Sequence, residues 1–236
     1  EAMLAAGPRV ISSIMGVYAP EFVAKMKARG ILWFATVTTV DEARAAEAAG
    51  ADAILAQGME AGGHRGAFQA DQAESQLIGL VALVPQVADA VSIPVIATGG
   101  IGDSRGVAAA LMLGASAVQI GTGFLRARES GVHPLYADRL ASTEAHHTVI
   151  TRAFTGRAGR SVHNAYARAA AAEHAPPSAP YPVQRGFTRA MRDAAMESGD
   201  AERMQMWSGQ AAKFAQARPA GEIAQQMWAE AERLLS

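Results

Sequence analysis

The hydrophobic pattern of this chain alternates between short apolar runs and longer amphipathic segments. Five runs are rich in β-forming residues, and we predict a strand at each: 10–14, 31–37, 53–56, 94–97 and 117–120. Between them apolar residues recur at helical spacing, which predicts helices over 20–29, 40–49, 81–91 and 103–113. A strand within 78–84 is the alternative to the third of these helices. The alternation favours an α/β fold with a parallel sheet covered by helices.

The pattern changes after Leu125. Helices are predicted over 130–141, 161–174, 189–196, 201–217 and 220–235, and the alternating stretch 148–154 predicts an irregular strand. The segment 174–182 contains four prolines and is expected to be an irregular connector.

Composition narrows the function classes. The 236 residues are half hydrophobic, which suits one large domain with a substantial core. With 21 basic and 22 acidic residues the net charge is −1, so no basic surface is expected for nucleic acid or for an anionic membrane. No apolar run is long enough to predict a membrane span, and no signal peptide is recognisable. The chain has no cysteine, which fits a reducing, cytoplasmic location.

The loop after the third strand is the first candidate for chemistry. It carries Gly62, Gly63 and Gly66, with His64 among them. Glycines let a backbone approach a ligand closely, and a titratable side chain at the carboxyl end of a strand lies where α/β enzymes perform chemistry. The alternative is a flexible surface turn with an exposed histidine.

Two glycine turns form the second candidate. Gly99 and Gly100 follow the strand that ends at Thr98, and Gly121 and Thr122 follow the next strand. Backbone N–H groups at two adjacent strand ends are how (β/α) barrels bind a phosphate group without a cation. The alternative is a pair of tight turns in which glycine only eases the bend.

Three segments resemble the nitronate monooxygenase family of flavin-dependent enzymes, formerly called 2-nitropropane dioxygenases. They are QGMEAGGHRG at 57–66, PVIATGGIGDSRGVAAALMLGASAVQIGT at 94–122, and MWSGQ at 206–210. The first two are shared, with variations, by the related flavin-dependent enoyl-ACP reductases. The resemblance extends over essentially the whole chain.

The resemblance implies a TIM (β/α)8 barrel of the FMN-binding type. Only strands four to eight of such a barrel are matched, so residues 1–128 would be the C-terminal part of the barrel and residues 129–236 a helical extension packing against it. Five strands cannot close this barrel, since an open sheet exposes two edges. The sequence is then a fragment or another chain completes the fold, and the oligomeric state stays open, with a homodimer as one arrangement.

The resemblance also implies roles for individual residues. His64 matches the catalytic histidine. The residues implied to contact FMN or its phosphate are Gln57, Ala61, Gly62, Gly63, Thr98, Gly99, Gly100, Gly121, Thr122 and Gln210, with Trp207 and Gly209 near the flavin. No metal is implied, and the pair His146 and His147 is expected to be solvated rather than metal-binding.

The implied reaction is FMN-dependent oxidation of an alkyl nitronate, or of a neutral nitroalkane, with O2 to give a carbonyl compound and nitrite. Its partners are these small molecules. One alternative is an NADH-dependent flavin reductase of enoyl thioesters or quinones on the same scaffold. The other is an inactive fragment.

Overall fold

The computed structural model describes residues 2–236, which divide into two compact units. The first unit takes residues 2–59, 66–98 and 109–119, and the second takes residues 60–65, 99–108 and 120–236. The second unit thus draws two short segments from the first half of the chain. One of them contains His64, and the other contains Gly99 and Gly100.

The first unit is built on a five-stranded parallel sheet in the order β1-β2-β3-β5-β6. Its strands are β1 (Val10–Ser13), β2 (Leu32–Val37), β3 (Ala53–Gln57), β5 (Val95–Thr98) and β6 (Ala117–Gln119). Every residue of the central strand β3 is buried, which is why it reads as a continuous apolar run. Gln57 pairs in register with Thr98, so these two strands end side by side.

Helices follow the strands of this sheet, as the sequence predicts. They are α2 (Pro20–Lys27), α3 (Val40–Ala48), α4 (Leu80–Ala90) and α5 (Ser104–Met112), and residues 104–108 of α5 belong to the second unit. A short helix, α1 (Ala2–Ala5), precedes β1. A buried carboxylate fixes the start of α3. Glu42 accepts hydrogen bonds from the Thr38 amide (2.6 Å) and hydroxyl (2.8 Å), and from the Phe68 amide (2.6 Å). It therefore fastens a loop to the first turn of a helix.

The second unit contains a three-stranded antiparallel sheet in the order β4-β8-β7. Its strands are β4 (Gly63–His64), β7 (Thr148–Thr151) and β8 (Gly159–Val162). Its helices are α6 (Pro134–Ala141), α7 (Ala165–Ala170), α8 (Val183–Phe187), α9 (Arg189–Ser198) and α10 (Ala220–Leu235), with short 3-10 helices at Thr122–Phe124, Ala145–His147 and Ala212–Phe214. Among the helices of residues 2–236, none has the length and apolar character needed to cross a bilayer.

The five predicted strands and the parallel sheet are confirmed, as is the helix reading of 81–91. Closure into a full barrel and the division at residue 128 stay predictions.

One predicted helix is wrong, and another is shorter than predicted. Residues 161 and 162 end strand β8, so the helix predicted over 161–174 is reduced to α7. The segment 201–217 has no α-helix, because Trp207 forms an antiparallel bridge with Ser161. The Val162 amide donates to the Met206 carbonyl (2.9 Å), and the Ser208 amide donates to the Arg160 carbonyl (3.2 Å). Pairing with a distant strand thus overrides local helix propensity.

Candidate active site

His64 lies in an ordered strand of the second unit rather than in a flexible turn. Within β4, Gly63 pairs with Arg160 and His64 pairs with Gly159 on β8. The amide of the next residue, Arg65, donates to the Ala158 carbonyl at 2.9 Å. Both residues of this short strand are paired, so the pairing fixes the backbone of His64 and thereby the side of the strand on which its imidazole lies. The side chain is half-buried, so the exposed-turn alternative is wrong.

One hydroxyl holds the imidazole ring. Nε2 of His64 lies 2.8 Å from Oγ1 of Thr155, a buried residue. Oγ1 also accepts the Arg157 amide (3.3 Å) and lies 3.3 Å from the Arg157 carbonyl, to which it can donate. A hydroxyl carries a single hydrogen, so Thr155 donates either to the Arg157 carbonyl or to Nε2 of His64. In the first case Nε2 of the ring bears the proton and donates to Oγ1; in the second case the proton of the neutral ring is on Nδ1.

Two aromatic side chains flank the same ring. The Trp207 ring centroid lies 5.0 Å from that of His64, with an interplanar angle of 58°. The Tyr181 ring makes an edge contact at 5.6 Å and 79°. Distances of this size are typical of packed aromatic pairs, so the ring is confined on two sides.

The surroundings favour the neutral imidazole. Burial lowers the pKa of His64 below its usual value, and the positive charges of Arg157 and then Arg185 lower it further. Both effects disfavour the imidazolium, since burial penalises a charge and neighbouring cations repel it. At pH 7 the ring is therefore predominantly neutral and able to accept a proton.

Close backbone contact fixes the loop that precedes His64. A Cβ added at Gly62 would lie 2.4 Å from the Gly209 nitrogen, so no other residue fits there without a shift. The Gln210 amide donates to the Glu60 carbonyl (3.0 Å), and the Gly209 amide donates to Oγ1 of Thr122 (3.0 Å). The structure thus joins the loop, the 207–210 segment and the second glycine turn, three parts of the chain that the sequence singles out.

The first glycine turn has the backbone that its sequence predicts. Gly99 and Gly100 have φ of +111° and +70°, which only glycine adopts readily. The Asp103 carboxylate accepts the amides of Arg105 and Gly106 (both 3.1 Å) and thereby caps α5. The start of this helix is therefore already satisfied, and an anion would meet the turn amides instead of the helix.

The amides of both turns fit a phosphate group. Within residues 2–236, no protein acceptor meets the backbone N–H groups of Gly99, Gly100, Gly121 or Thr122. A Cβ added at Gly121 would meet no atom within 4 Å, so open space borders that backbone. Turn amides without a protein acceptor are a feature of an anion-binding concavity, and at Gly121 open space adjoins them as well.

The second unit brings together most of the predicted site residues, namely Ala61, Gly62, Gly63, His64, Gly99, Gly100, Gly121, Thr122, Trp207, Gly209 and Gln210. Gln57 and Thr98 belong to the first unit. There Oε1 of the buried Gln57 accepts the Gly66 amide at 2.8 Å, which gives this side chain a structural role.

Sequence reasoning missed three residues near His64. Thr155 lies inside the arginine-rich run 152–160, which is noticeable as a charge pattern but does not single out its threonine. Tyr181 and Arg185 lie in and just after the proline-rich connector, where no periodic signal exists.

The rings of His146 and His147 lie 4.1 Å apart, and in the described part of the chain no group of three His, Asp or Glu side chains could hold a metal ion.

Comparison with known proteins identifies the family of this chain. A family model described as nitronate monooxygenase matches residues 1–230. A probable nitronate monooxygenase of Staphylococcus aureus (strain Newman) is 42% identical over 208 residues, covering 88% of this chain and 58% of the relative. The chain therefore spans about three fifths of the length of such curated relatives.

Solved structures give the same relationship. Nitroalkane oxidase from Streptomyces ansochromogenes superposes with a TM-score of 0.91 at 42% identity, covering 100% of this chain and 68% of that chain. FabK from Thermotoga maritima superposes with a TM-score of 0.77 at 32% identity, covering 96% and 68% respectively. The chain belongs to the nitronate monooxygenase family, a family of flavin-dependent oxidoreductases.

Proposed function

We propose that the protein oxidises alkyl nitronates, and neutral nitroalkanes, with O2 to a carbonyl compound and nitrite, using bound FMN. The observation that carries this proposal is a neutral imidazole held by Thr155 and flanked by Trp207 and Tyr181. The cofactor, when bound, supplies the redox step by accepting an electron from the nitronate. The five parallel strands are proposed to be strands four to eight of an FMN-binding (β/α)8 barrel.

The residues proposed to hold FMN fall into two groups. The turn amides of Gly99, Gly100, Gly121 and Thr122 would bind its phosphate, because they have no protein acceptor within residues 2–236. The residues assigned to the flavin by the family pattern are Gln57, Ala61, Gly62, Gly63, Thr98 and Gln210. A cytoplasmic location and a homodimer stay predictions.

His64 is proposed to act on the substrate in one of two ways. Toward a neutral nitroalkane, the basic ring nitrogen would remove the proton on the carbon next to the nitro group. Toward a nitronate, which has already lost that proton, an N–H of the ring would donate to a nitro oxygen. The lowered pKa favours the first role, because a general base must be unprotonated at working pH. In both roles the hydrogen bond with Thr155 would keep the imidazole oriented toward the substrate.

The decisive experiment separates cofactor binding from turnover. We expect the purified protein to bind FMN, and His64→Asn to retain FMN while losing at least about a hundredfold in nitrite formation from a neutral nitroalkane. His174→Asn, a change at an exposed histidine of the connector, is the matched control and is expected to keep full activity. Unchanged turnover in His64→Asn would reject the assignment.

The alternative function is an NADH-dependent flavin reductase of enoyl thioesters or quinones. The observation that favours it is the superposition on FabK at 32% identity. Anaerobic mixing of the FMN-loaded protein with NADH distinguishes the two. Rapid bleaching of the flavin supports the reductase. No bleaching, together with nitronate-dependent O2 uptake in a separate aerobic assay, supports the monooxygenase. A protein that binds no FMN would support the inactive fragment.

A further inference from the structure

A groove of about 490 Å³ lies in the second unit, where α8 meets α9. Its lining residues are Pro182, Arg185, Gly186, Arg189, Arg192 and Asp193. Three arginines and one aspartate give this lining a formal charge of +2, in a protein whose net charge is −1. We call it the arginine groove.

Two of these arginines lie in the first turn of helix α9. Arg189 is the first residue of α9 and Arg192 is the fourth, and the first turn has no acidic residue. The amino end of a helix carries a partial positive charge, so cations there are unfavourable and an anion is stabilising. Thr188 does not cap the helix, because its hydroxyl donates to the Phe154 carbonyl at 2.7 Å.

The three guanidinium groups differ in how they are held. Arg192 is fixed by Oγ1 of Thr188 (3.2 Å), Oε1 of Gln205 (3.1 Å) and the Arg185 carbonyl (3.0 Å). Among residues 2–236, the Arg189 guanidinium contacts only the exposed Asp193 carboxylate, at 3.5 Å, and such pairs contribute little to stability. In the described part of the chain, the Arg185 guanidinium has no acceptor. One arginine is thus rigid, and two are available to close on a ligand.

The charges of Arg185 and Arg189 also act on Arg192. Burial first, and then the neighbouring Arg185 charge, lowers the pKa of Arg192. Asp193 offsets one of the three positive charges, and an anion between the arginines would relieve the repulsion that remains.

The groove adjoins the candidate active site. Pro182 in its wall directly follows Tyr181, whose ring contacts His64. The Arg185 charge also acts on His64, where it lowers the imidazole pKa. The groove and the imidazole are therefore linked through the 181–182 segment and through the charge of Arg185.

We propose that the arginine groove binds the phosphate group of a phosphorylated organic ligand whose other end extends toward His64. A phosphate monoester carries a charge of about −1.5 to −2 at pH 7, which matches the +2 of the lining. A carboxylate carries only one negative charge and would leave one cation uncompensated. Only the orientation toward His64 rests on the proposed function; the phosphate binding does not.

The test is calorimetric titration of the whole chain with ADP, with inorganic phosphate and with acetate, at one ionic strength. The protein is first loaded with FMN and then freed of unbound FMN, so that the glycine turns are occupied and no free phosphate ester competes for the groove. The variant is Arg185→Gln/Arg189→Gln, whose side chains are exposed. The control is Arg44→Gln/Arg233→Gln, which removes the same two charges from exposed helix positions elsewhere. If the double variant does not fold, Arg185→Gln alone replaces it.

We expect ADP to bind more tightly than inorganic phosphate, and acetate not to bind. Loss of the two arginines should weaken ADP binding by at least about tenfold, the effect of about one charge-assisted hydrogen bond, while the control pair should leave it unchanged. Equal ADP affinity in the variant and the wild type, or no ADP binding, would overturn the proposal. If inorganic phosphate bound as tightly as ADP, the proposal that the organic part of the ligand contributes to binding would be wrong.

A second measurement separates this proposal from the proposed function. His64→Asn should bind ADP as the wild type does, whether or not it forms nitrite. If nitrite is never formed but ADP binding still depends on Arg185 and Arg189, the groove stands and the oxidation of nitro compounds does not. If His64→Asn abolishes ADP binding, the assignment of the phosphate to the groove is wrong.

Discussion

The hydroxyl of Thr155 lies 2.8 Å from Nε2 of His64, although the two residues are 91 positions apart in the chain. Antiparallel pairing of β4 with β8 brings their segments together, and the Arg157 backbone holds the hydroxyl in turn. The imidazole is thus aimed by a neutral group. An orienting carboxylate would raise its pKa, whereas this arrangement leaves the ring neutral at pH 7.

Replacing Thr155 by valine keeps the shape of the side chain and removes the hydrogen bond to His64. We expect nitrite formation to fall by about tenfold, because the ring is then held less well in its productive orientation. FMN binding should be unchanged. Thr155→Ser keeps the hydroxyl and is expected to retain most of the activity. Equal activity of the valine variant and the wild type would contradict an orienting role.

The titration of His64 can be followed directly by NMR of the imidazole. We expect a midpoint below the usual value of about 6.5, because burial, Arg157 and Arg185 all disfavour the charged ring. Arg185→Gln should raise the midpoint toward that value. The control Arg233→Gln should leave it unchanged. A midpoint above 6.5 in the wild type would show that an unrecognised group stabilises the imidazolium.

The same shift gives a pH dependence. With its pKa lowered by folding, His64 favours the folded state above its unfolded pKa of about 6.5, and this contribution is lost as the pH falls through the lower folded value. Turnover of a neutral nitroalkane should fall over the same acidic range, since the base becomes protonated. Turnover of a preformed nitronate should fall less. Identical profiles for the two substrates would argue against His64 as the base.

Gly159 packs directly beneath Trp207. A Cβ at this position would lie 2.9 Å from Cζ3 of the indole and 3.1 Å from the Gly63 carbonyl oxygen. We expect Gly159→Ala to lower the free energy of unfolding by about 1–3 kcal/mol through overpacking, measured by urea denaturation. Gly221→Ala on α10 is the control, because its Cβ meets nothing within 4 Å and should leave stability unchanged or slightly higher. Equal stabilities of the two variants would contradict this packing.

A substitution at Gly121 is expected to change FMN binding without changing the stability of the fold. Its backbone has φ of −97°, which alanine accepts, and an added methyl group would point into open space. If that space receives the FMN phosphate, Gly121→Ala should weaken FMN binding by about tenfold while leaving unfolding unchanged. Flavin fluorescence quenching measures the affinity, and Gly221→Ala is again the control. Unchanged FMN affinity would move the phosphate away from this turn.

Local sequence was sufficient for the regular part of the fold. Strand β3 is fully buried and β5 is buried at alternate positions, and both leave a short run of apolar residues in the sequence. The turn at Gly99 and Gly100 is also predictable from local sequence, because a backbone with positive φ favours glycine at that position. His64 was found through its glycine-rich neighbourhood and the family motif.

The environment of His64 depended on contacts that no local pattern records. Trp207 lies in a segment whose apolar spacing predicts a helix, yet its backbone pairs with Ser161 instead. The backbone hydrogen bonds of that pairing outweigh helix propensity, which amounts to less than about 1 kcal/mol per residue. Thr155 and Arg185 have ordinary sequence surroundings, and only their distances to His64 make them relevant.

By itself, the sequence determined the parallel strands and the glycine turns, because both follow from residue type and from spacing within one segment. The family motif in the sequence indicated His64 as the candidate base. The tertiary structure decided how that base is held, which hydroxyl and rings contact it, why it is neutral and where an arginine groove lies beside it. These properties depend on side chains far apart in the chain. Their interactions fall off over a few ångströms in space, and spacing along the sequence carries no measure of that distance.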